Sequence, residues 1–337
     1  MVGTGKTIYK TVLVTCPGNA TTAGPEAIHQ LVADLIRLGQ PAAVVYFPFE
    51  QTFETAPAYR KYAAPVAHYR DKAGDLILFP EIVTTYALKV RHANAAIWWM
   101  SVNNFTCVRY GHRWRDKIRY FKYFLKGLRP WGGVAALKHL RHFAQSHYAL
   151  DFLASHNVQA EMLSDPIPAY TTQEYLDDLA IKLPRTVRQN RILFNPHKGA
   201  KITQRLKATY TDWEFMPLVG YGREQLSDIF MGAKLYIDFG HHPGKDRLPR
   251  EAAIHGCCVI TGLNGSAGNA IDLPIHAKYK LDEKNDGFVD EFGLRVRKIF
   301  DDFDVCMRDF AGYRQIIARE QDEFDRQIVR AFGIRES

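Results

Sequence analysis

Apolar residues fall along this chain in two alternating patterns: short continuous runs, and longer stretches at helical spacing. Residues 10–18 (KTVLVTCPG) form an apolar run closed by a Gly/Pro turn and predict a buried strand. From Pro25 to Leu38 the apolar positions are Ile28, Leu31, Val32, Leu35 and Leu38, one face of a helix, and Gly39 predicts its stop. AAVVYF (42–47), LILFP (76–80) and AAIWWMS (95–101) predict further buried strands. Buried runs that alternate with helices predict a parallel sheet covered on both faces.

A second cycle begins after the Pro-bearing stretch 165–168. RILFNP (191–196), EFMPL (214–218), KLYIDFG (234–240) and CCVITG (257–262) predict strands, separated by helices around 200–209, 223–232 and Pro249–His255. From about Val289 to Phe332 the pattern is helical and charged. The expectation is two α/β domains, 1–165 and 166–305, with a helical tail over 306–337. A length of 337 residues suits two domains, and 47% hydrophobic content is enough for packed cores.

Charge changes this picture at one place. The net charge is +8, and the segment from Arg109 to Arg141 holds ten Lys/Arg against one acid, Asp116, so the surplus belongs to that segment. In KIRYFKYFLKGL (117–128), Ile118, Phe121, Leu125 and Leu128 share one helical face, and Arg119, Lys122 and Lys126, with Arg115 just before the stretch, share another. A basic amphipathic helix suits an anionic membrane surface and, as a second reading, nucleic acid phosphates. No run approaches the roughly 18 apolar residues of a membrane span, and the first apolar run is too short for a secretory signal. The expected location is cytoplasmic, peripheral on the inner face of the membrane. The five cysteines form no CxxC pair and predict buried thiols.

Three sequence patterns bear on chemistry. GTGKT at 3–7 lacks the first glycine of a phosphate-binding GxxxxGK[ST] loop. DFD at 302–304 lies in a helical acidic stretch, and His139, His142 and His147 have no facing carboxylates, so no metal site is expected. The strongest pattern is YIDFGHHPGKDRLPREAAIHGCCVITG, 236–262. A strand ends at Asp238, and a polar loop with His241, His242, Lys245, Asp246 and Arg247 feeds a short helix that Gly256 terminates. Lys245, Arg247 and Arg250 flank that helix's N-terminus, where free N–H groups and the helix dipole favour a diphosphate. Glu251 is expected in the first turn, where its carboxylate can accept from two ribose hydroxyls. A similar turn, CPGNATTAGPEAIHQL, follows the first strand and offers a second helix N-terminus at Gly24 and Glu26.

The 236–262 pattern resembles the donor-site signature of GT-B glycosyltransferases, especially the family 4-like group (group 1). There a helix reading Glu-Ala-x-x-x-Gly precedes a strand, as Glu251–Gly256 precedes 257–262 here. ILFNPHKG is similar to that group's phosphate-binding strand and loop and supplies Lys198-Gly199, but the Arg usual before the Lys is absent, and Asn195 is the polar residue taken in its stead. EFMPLVGYGREQLSDIFMGAKLYIDFG resembles the following stretch, whose strand end near Met216–Leu218 would hold the base. The resemblance covers about 190–265 well. The N-terminal half resembles uncharacterised bacterial surface-polysaccharide transferases through AGPEAIHQL, IWWMSVNNF and HFAQSHYALDFL. The retaining families' second Glu falls on Pro243, which leaves the stereochemistry open.

The resemblance implies a GT-B fold: two Rossmann-like domains facing a cleft, with the last helix crossing back. It implies a metal-independent glycosyltransferase moving a sugar from a nucleoside diphosphate sugar to a glycan or lipid-linked acceptor, with no cofactor. Asn195, Lys198, Gly199, Met216, Leu218, Lys245, Arg247, Arg250 and Glu251 would bind the donor. The acceptor would meet Gly24, Asn103 and Asn104, with Glu26 as base and His29 second. The rival readings are a nucleic acid base glycosyltransferase and a non-catalytic sugar-nucleotide-binding protein.

Overall fold

The computed structural model describes residues 8–110, 114, 118, 121, 133–167 and 172–334. GTGKT lies outside them, as do Arg115, Arg119, Lys122 and Lys126. The chain divides into two compact units, residues 1–165 together with 322–337, and residues 166–321.

The first unit is built on six parallel strands: β1 (Val12–Pro17), β2 (Ala42–Phe47), β3 (Leu76–Pro80), β4 (Asn94–Trp99), β5 (Arg141–Ala144) and β6 (Glu161–Met162). Their order is β2-β1-β3-β4-β5-β6. Both faces are covered. Val12, Val14, Leu76, Leu78, Ala96 and Trp98 pack into one core, and Leu13, Ile77, Phe79, Ile97 and Trp99 pack into another. That two-sided burial is why β1, β3 and β4 read as unbroken apolar runs. The helix Ala23–Arg37 buries Ile28, Leu31, Val32 and Leu35 completely, each contributing about 2 kcal/mol of transfer free energy. Phe324, Ile328 and Phe332 of the helix Glu320–Phe332 complete the same core. β5 and β6 were not expected from the sequence.

The second unit carries β7 (Gln189–Phe194), β8 (Glu214–Pro217), β9 (Ala233–Asp238) and β10 (Cys258–Thr261), all parallel, in the order β10-β9-β7-β8. Cys306, Phe310, Tyr313 and Ile317, expected in a separate tail, belong to this unit's core. Cys16, Cys257, Cys258 and Cys306 are buried and free.

Each sheet reverses its direction of growth once. In the first unit the chain lays β2 on one side of β1 and then returns to lay β3 on the other. In the second it lays β8 beside β7 and returns to lay β9 on β7's far side. At such a reversal the connecting loops leave in opposite directions and open a crevice at the carboxyl ends of the two strands. The first crevice lies between the β1 and β3 ends, the second between the β7 and β9 ends.

Candidate functional site

The second unit's crevice is floored by two loops pressed together. After β7, Asn195 Oδ1 accepts the His197 N–H at 3.0 Å, forming a tight turn that delivers Lys198 and Gly199 to the N-terminus of the helix Ala200–Thr209. Gly199 has φ +59°, and a Cβ there would stand 2.8 Å from the Phe239 carbonyl carbon. A Cβ on Gly240 would stand 2.5 Å from Lys198 Cβ. Glycine at 199 is thus required by close backbone approach as well as by a left-handed turn, and glycine at 240 by the approach of residue 198.

After β9 the chain forms the loop Phe239–Asp246 and enters the helix Arg247–Ile254. This helix opens two residues before Pro249, which occupies its first turn, where a missing N–H costs nothing. Glu251 therefore sits in the second turn, a correction to its expected place. Gly256, at φ +84°, ends the helix as expected.

The cations differ in their surroundings. Arg250 is 1% exposed, and its guanidinium donates to the Asp246 and Lys245 carbonyls and to Glu320 Oε2 at 2.8 Å. It holds the loop rather than lining a ligand surface, which corrects its expected diphosphate contact. Lys245 Nζ lies 2.9 Å from Glu320 Oε1. Glu320 is buried and also accepts the Ile167 N–H at 3.2 Å. Burial alone would raise its pKa, but the charges of Arg250 and Lys245 hold it below the usual carboxylate range. Arg247 Nε stands 3.9 Å from Glu251 Oε1. Lys198, its side chain 27% exposed, pairs with Asp246 Oδ2 at 2.5 Å.

Behind Lys198 lies a charged row that the sequence reading did not single out. His242 is 2% exposed and stands between two carboxylates, with Nδ1 3.2 Å from Asp246 Oδ2 and Nε2 3.4 Å from Asp238 Oδ1. Asp238 also accepts from Tyr236 Oη and the Gly240 N–H, both at 3.0 Å. Burial opposes ionisation of Asp238, but the hydrogen bond and charge of His242, with the charge of Lys198, keep its pKa low. Asp238, His242 and Asp246 each bring one ligand atom within 4.8 Å of the others. The two imidazole nitrogens nevertheless face different carboxylates, and an imidazole gives one nitrogen to one ion. The Lys198 ammonium, moreover, already neutralises Asp246. The arrangement fits a charge network better than a metal centre. Met216 and Leu218 lie at the β8 end, and the Leu218 N–H donates to the Phe194 carbonyl at 2.9 Å.

In the first unit's crevice the expected base candidates are engaged. His29 is fully buried: Nδ1 donates to the Pro25 carbonyl at 2.7 Å, Nε2 meets Tyr46 Oη at 2.9 Å, and the ring stacks on Tyr59. Its pKa is lowered by burial. With both nitrogens used and no exposure, it cannot act as a base, which corrects that expectation. Glu26 Oε1 accepts from Lys61 Nζ at 2.6 Å and Tyr62 Oη at 2.9 Å. Asn103 and Asn104 begin the helix Val102–Tyr110, where the Asn104 N–H donates to Ser101 Oγ. Gly24 approaches Met100, its Cβ position 3.9 Å from Met100 Cε. The residue missed there is Glu81, at the end of β3, which is 3% exposed and accepts the Met100 N–H at 3.1 Å. Burial pushes its carboxyl up to about 7, against hydrogen bonds from main-chain N–H groups and the Asn104 side chain.

No family model matches this sequence, and no curated protein matches it. Solved structures do match in fold. HepE of Anabaena, solved in complex with UDP-glucose, superposes with a TM-score of 0.60 at 11% identity, covering 96% of this chain and 99% of that one. WaaG, a glycosyltransferase involved in lipopolysaccharide biosynthesis, gives a TM-score of 0.60 at 12% identity over 97% of this chain and 100% of its own. Sucrose-phosphate synthase from Thermosynechococcus elongatus gives a TM-score of 0.58 at 11% identity, over 96% and 100%. The fold of this chain is the GT-B fold of glycosyltransferases.

Proposed function

We propose that this chain is a glycosyltransferase that takes a sugar from a nucleoside diphosphate sugar held in the second unit's crevice. The observation that carries the reading is the convergence of the two loops at the β7 and β9 ends. They meet closely enough to exclude a Cβ at Gly199 and Gly240, and they bring Lys198 beside two helix N-termini. Lys198, Lys245 and Arg247 hold the diphosphate, Glu251 takes the ribose hydroxyls, and main chain near Met216–Leu218 takes the base. Arg250 and Asn195 shape the two loops. The departing diphosphate is neutralised by these cations and helix dipoles, with no metal in the proposed reaction. UDP-glucose in HepE supports the donor class.

The acceptor is a glycan or lipid-linked molecule meeting the first unit's crevice beside Gly24, Asn103 and Asn104. An anionic membrane is the proposed docking surface. Trp114, Ile118 and Phe121 are helical residues spaced i, i+4, i+7, and they are 68%, 43% and 58% exposed within the basic segment 109–141.

Thermal-shift and calorimetric titration against the UDP-, GDP-, CDP-, ADP- and dTDP-sugars tests the donor site. Lys198→Ala is expected to lower affinity about tenfold to a hundredfold, the equivalent of about 1.5–3 kcal/mol. No binding of any sugar nucleotide, or undiminished affinity in the variant, would remove the diphosphate from this crevice. Release of sugar from a radiolabelled donor, unaffected by EDTA, separates an enzyme from a sugar-nucleotide-binding protein.

A further inference from the structure

Asp246 is the N-cap residue of the helix Arg247–Ile254, and its backbone has the extended form of that position, φ −63° and ψ 142°. An Asp there ordinarily turns its carboxylate back onto the second or third N–H of its own helix. The third residue here is Pro249, which has no N–H, so Leu248 carries the N–H that such a cap would take. The Asp246 carboxylate does not take it. It is turned the other way, with Oδ2 2.5 Å from Lys198 Nζ and 3.2 Å from His242 Nδ1. The two holders differ. Lys198, its side chain 27% exposed, is the cation a diphosphate would claim. His242 is 2% exposed, with Asp238 Oδ1 3.4 Å from its other ring nitrogen. Its main chain donates to the Asn264 carbonyl and accepts the Ser266 N–H. A Cβ at Gly265 would stand 2.0 Å from the His242 carbonyl oxygen, so backbone packs on backbone there and leaves this holder no room to shift toward the 264–266 loop.

We infer that His242 is a positioning residue for the donor: it keeps the Asp246 carboxylate off the N-terminus of Arg247–Ile254, so that the diphosphate meets that helix uncapped. The inference rests on the donor site proposed above. A carboxylate and a phosphate seek the same N–H groups and the same end of the helix dipole. The carboxylate is tethered one side-chain rotation away, so unrestrained it has the higher effective concentration. When the diphosphate claims Lys198, Asp246 loses that partner, and His242 is the one that still restrains it.

The test is calorimetry of the full chain with the tightest-binding of UDP-glucose, GDP-mannose, ADP-glucose and dTDP-glucose. His242→Leu removes the ring's hydrogen bonds while filling its space, and affinity is expected to fall about tenfold, the worth of one cap. Asp246→Ala is expected to bind at least as tightly as the wild type. Adding His242→Leu to Asp246→Ala should cost nothing further, whereas a direct attraction between the imidazole and the ligand would be lost equally in both backgrounds. His242→Gln keeps an N–H donor and should bind more tightly than His242→Leu. Solvent exchange of the Leu248 N–H, followed by NMR in the ligand-free chain, reads the cap itself. It should be as fast in the wild type as in Asp246→Ala, and slower in His242→Leu. The comparison of wild type with Asp246→Ala serves even if His242→Leu fails to fold. Undiminished affinity in His242→Leu, an equal loss in both backgrounds, or slower Leu248 exchange in the wild type than in Asp246→Ala overturns the inference while the donor site stands. Binding of none of the four probes overturns the donor site itself.

Discussion

Arg250 and Lys198 carry the same charge a short distance apart, and their surroundings give them different work. Lys198 has a partly exposed head on a partner that can be exchanged. Arg250 is sealed, with each of its three guanidinium nitrogens donating to a protein oxygen. Truncating Arg250 to Ala leaves Glu320 buried with less compensation, and is expected to cost about 3 kcal/mol of stability. Urea unfolding measures it, and the double change Arg250→Met with Glu320→Leu should recover much of the loss. A stable single variant with weakened nucleotide binding would return Arg250 to the ligand surface. Glu81 makes a different prediction. Its carboxyl titrates near 7 in the folded chain and at 4.5 when unperturbed, so the native state favours the protonated form. The stability from this difference is present in full below the unfolded value and is lost as the pH rises through the folded one. The loss is about 3 kcal/mol, taken as an order of magnitude. Glu81→Gln should therefore flatten the fall in stability between about pH 4.5 and about pH 7, and equal slopes in variant and wild type would refute it.

At the scale of elements, long apolar runs and strong helical spacing were readable, and short or polar elements were not. β1 to β4 follow from continuous apolar runs that pack into cores on both faces of the sheet, and the helix Ala23–Arg37 from the helical spacing of its one apolar face. β5 has four residues, beginning Arg141-His142, and escapes a reading by hydrophobicity. His142 is satisfied in its buried place because it accepts from Trp99 Nε1, 43 positions away, at 3.0 Å and meets the nearby Leu137 carbonyl at 3.0 Å. The loop at 239–246 was legible as a phosphate-seeking turn from its cations and glycines. Which cation is sealed was not, because the seal comes from Glu320, seventy positions beyond Arg250. Glycine substitutions separate local from tertiary demands. Gly39 and Gly199 both have positive φ, but only Gly199 faces foreign backbone. Gly39→Ala should cost about 1 kcal/mol and leave sugar-nucleotide affinity unchanged. Gly199→Ala adds a clash with Phe239, so it should cost more and weaken binding. Equal effects on binding would mean that the loops do not form the site.

For the molecule as a whole, the surplus charge of one segment remains the main guide to where it works. Replacing Arg115, Arg119, Lys122 and Lys126 with Gln should remove about 4 kcal/mol of attraction to an anionic surface, at about 1 kcal/mol each. Flotation with phosphatidylglycerol vesicles should fall steeply while turnover on a short soluble acceptor holds. Undiminished flotation would end the membrane reading, and preferential salt-sensitive binding to duplex DNA would favour a nucleic acid acceptor.

The Glu320 clamp has a consequence for how the chain is jointed. The backbone passes between the units at 165/166 and again at 321/322. Glu320 lies just before the second passage and accepts the Ile167 N–H just after the first, while Lys245 and Arg250 fasten it to the loop that carries Asp246. Within the second unit, one buried carboxylate thus ties the first residues after 165 and the last before 322 to the loop that carries Asp246.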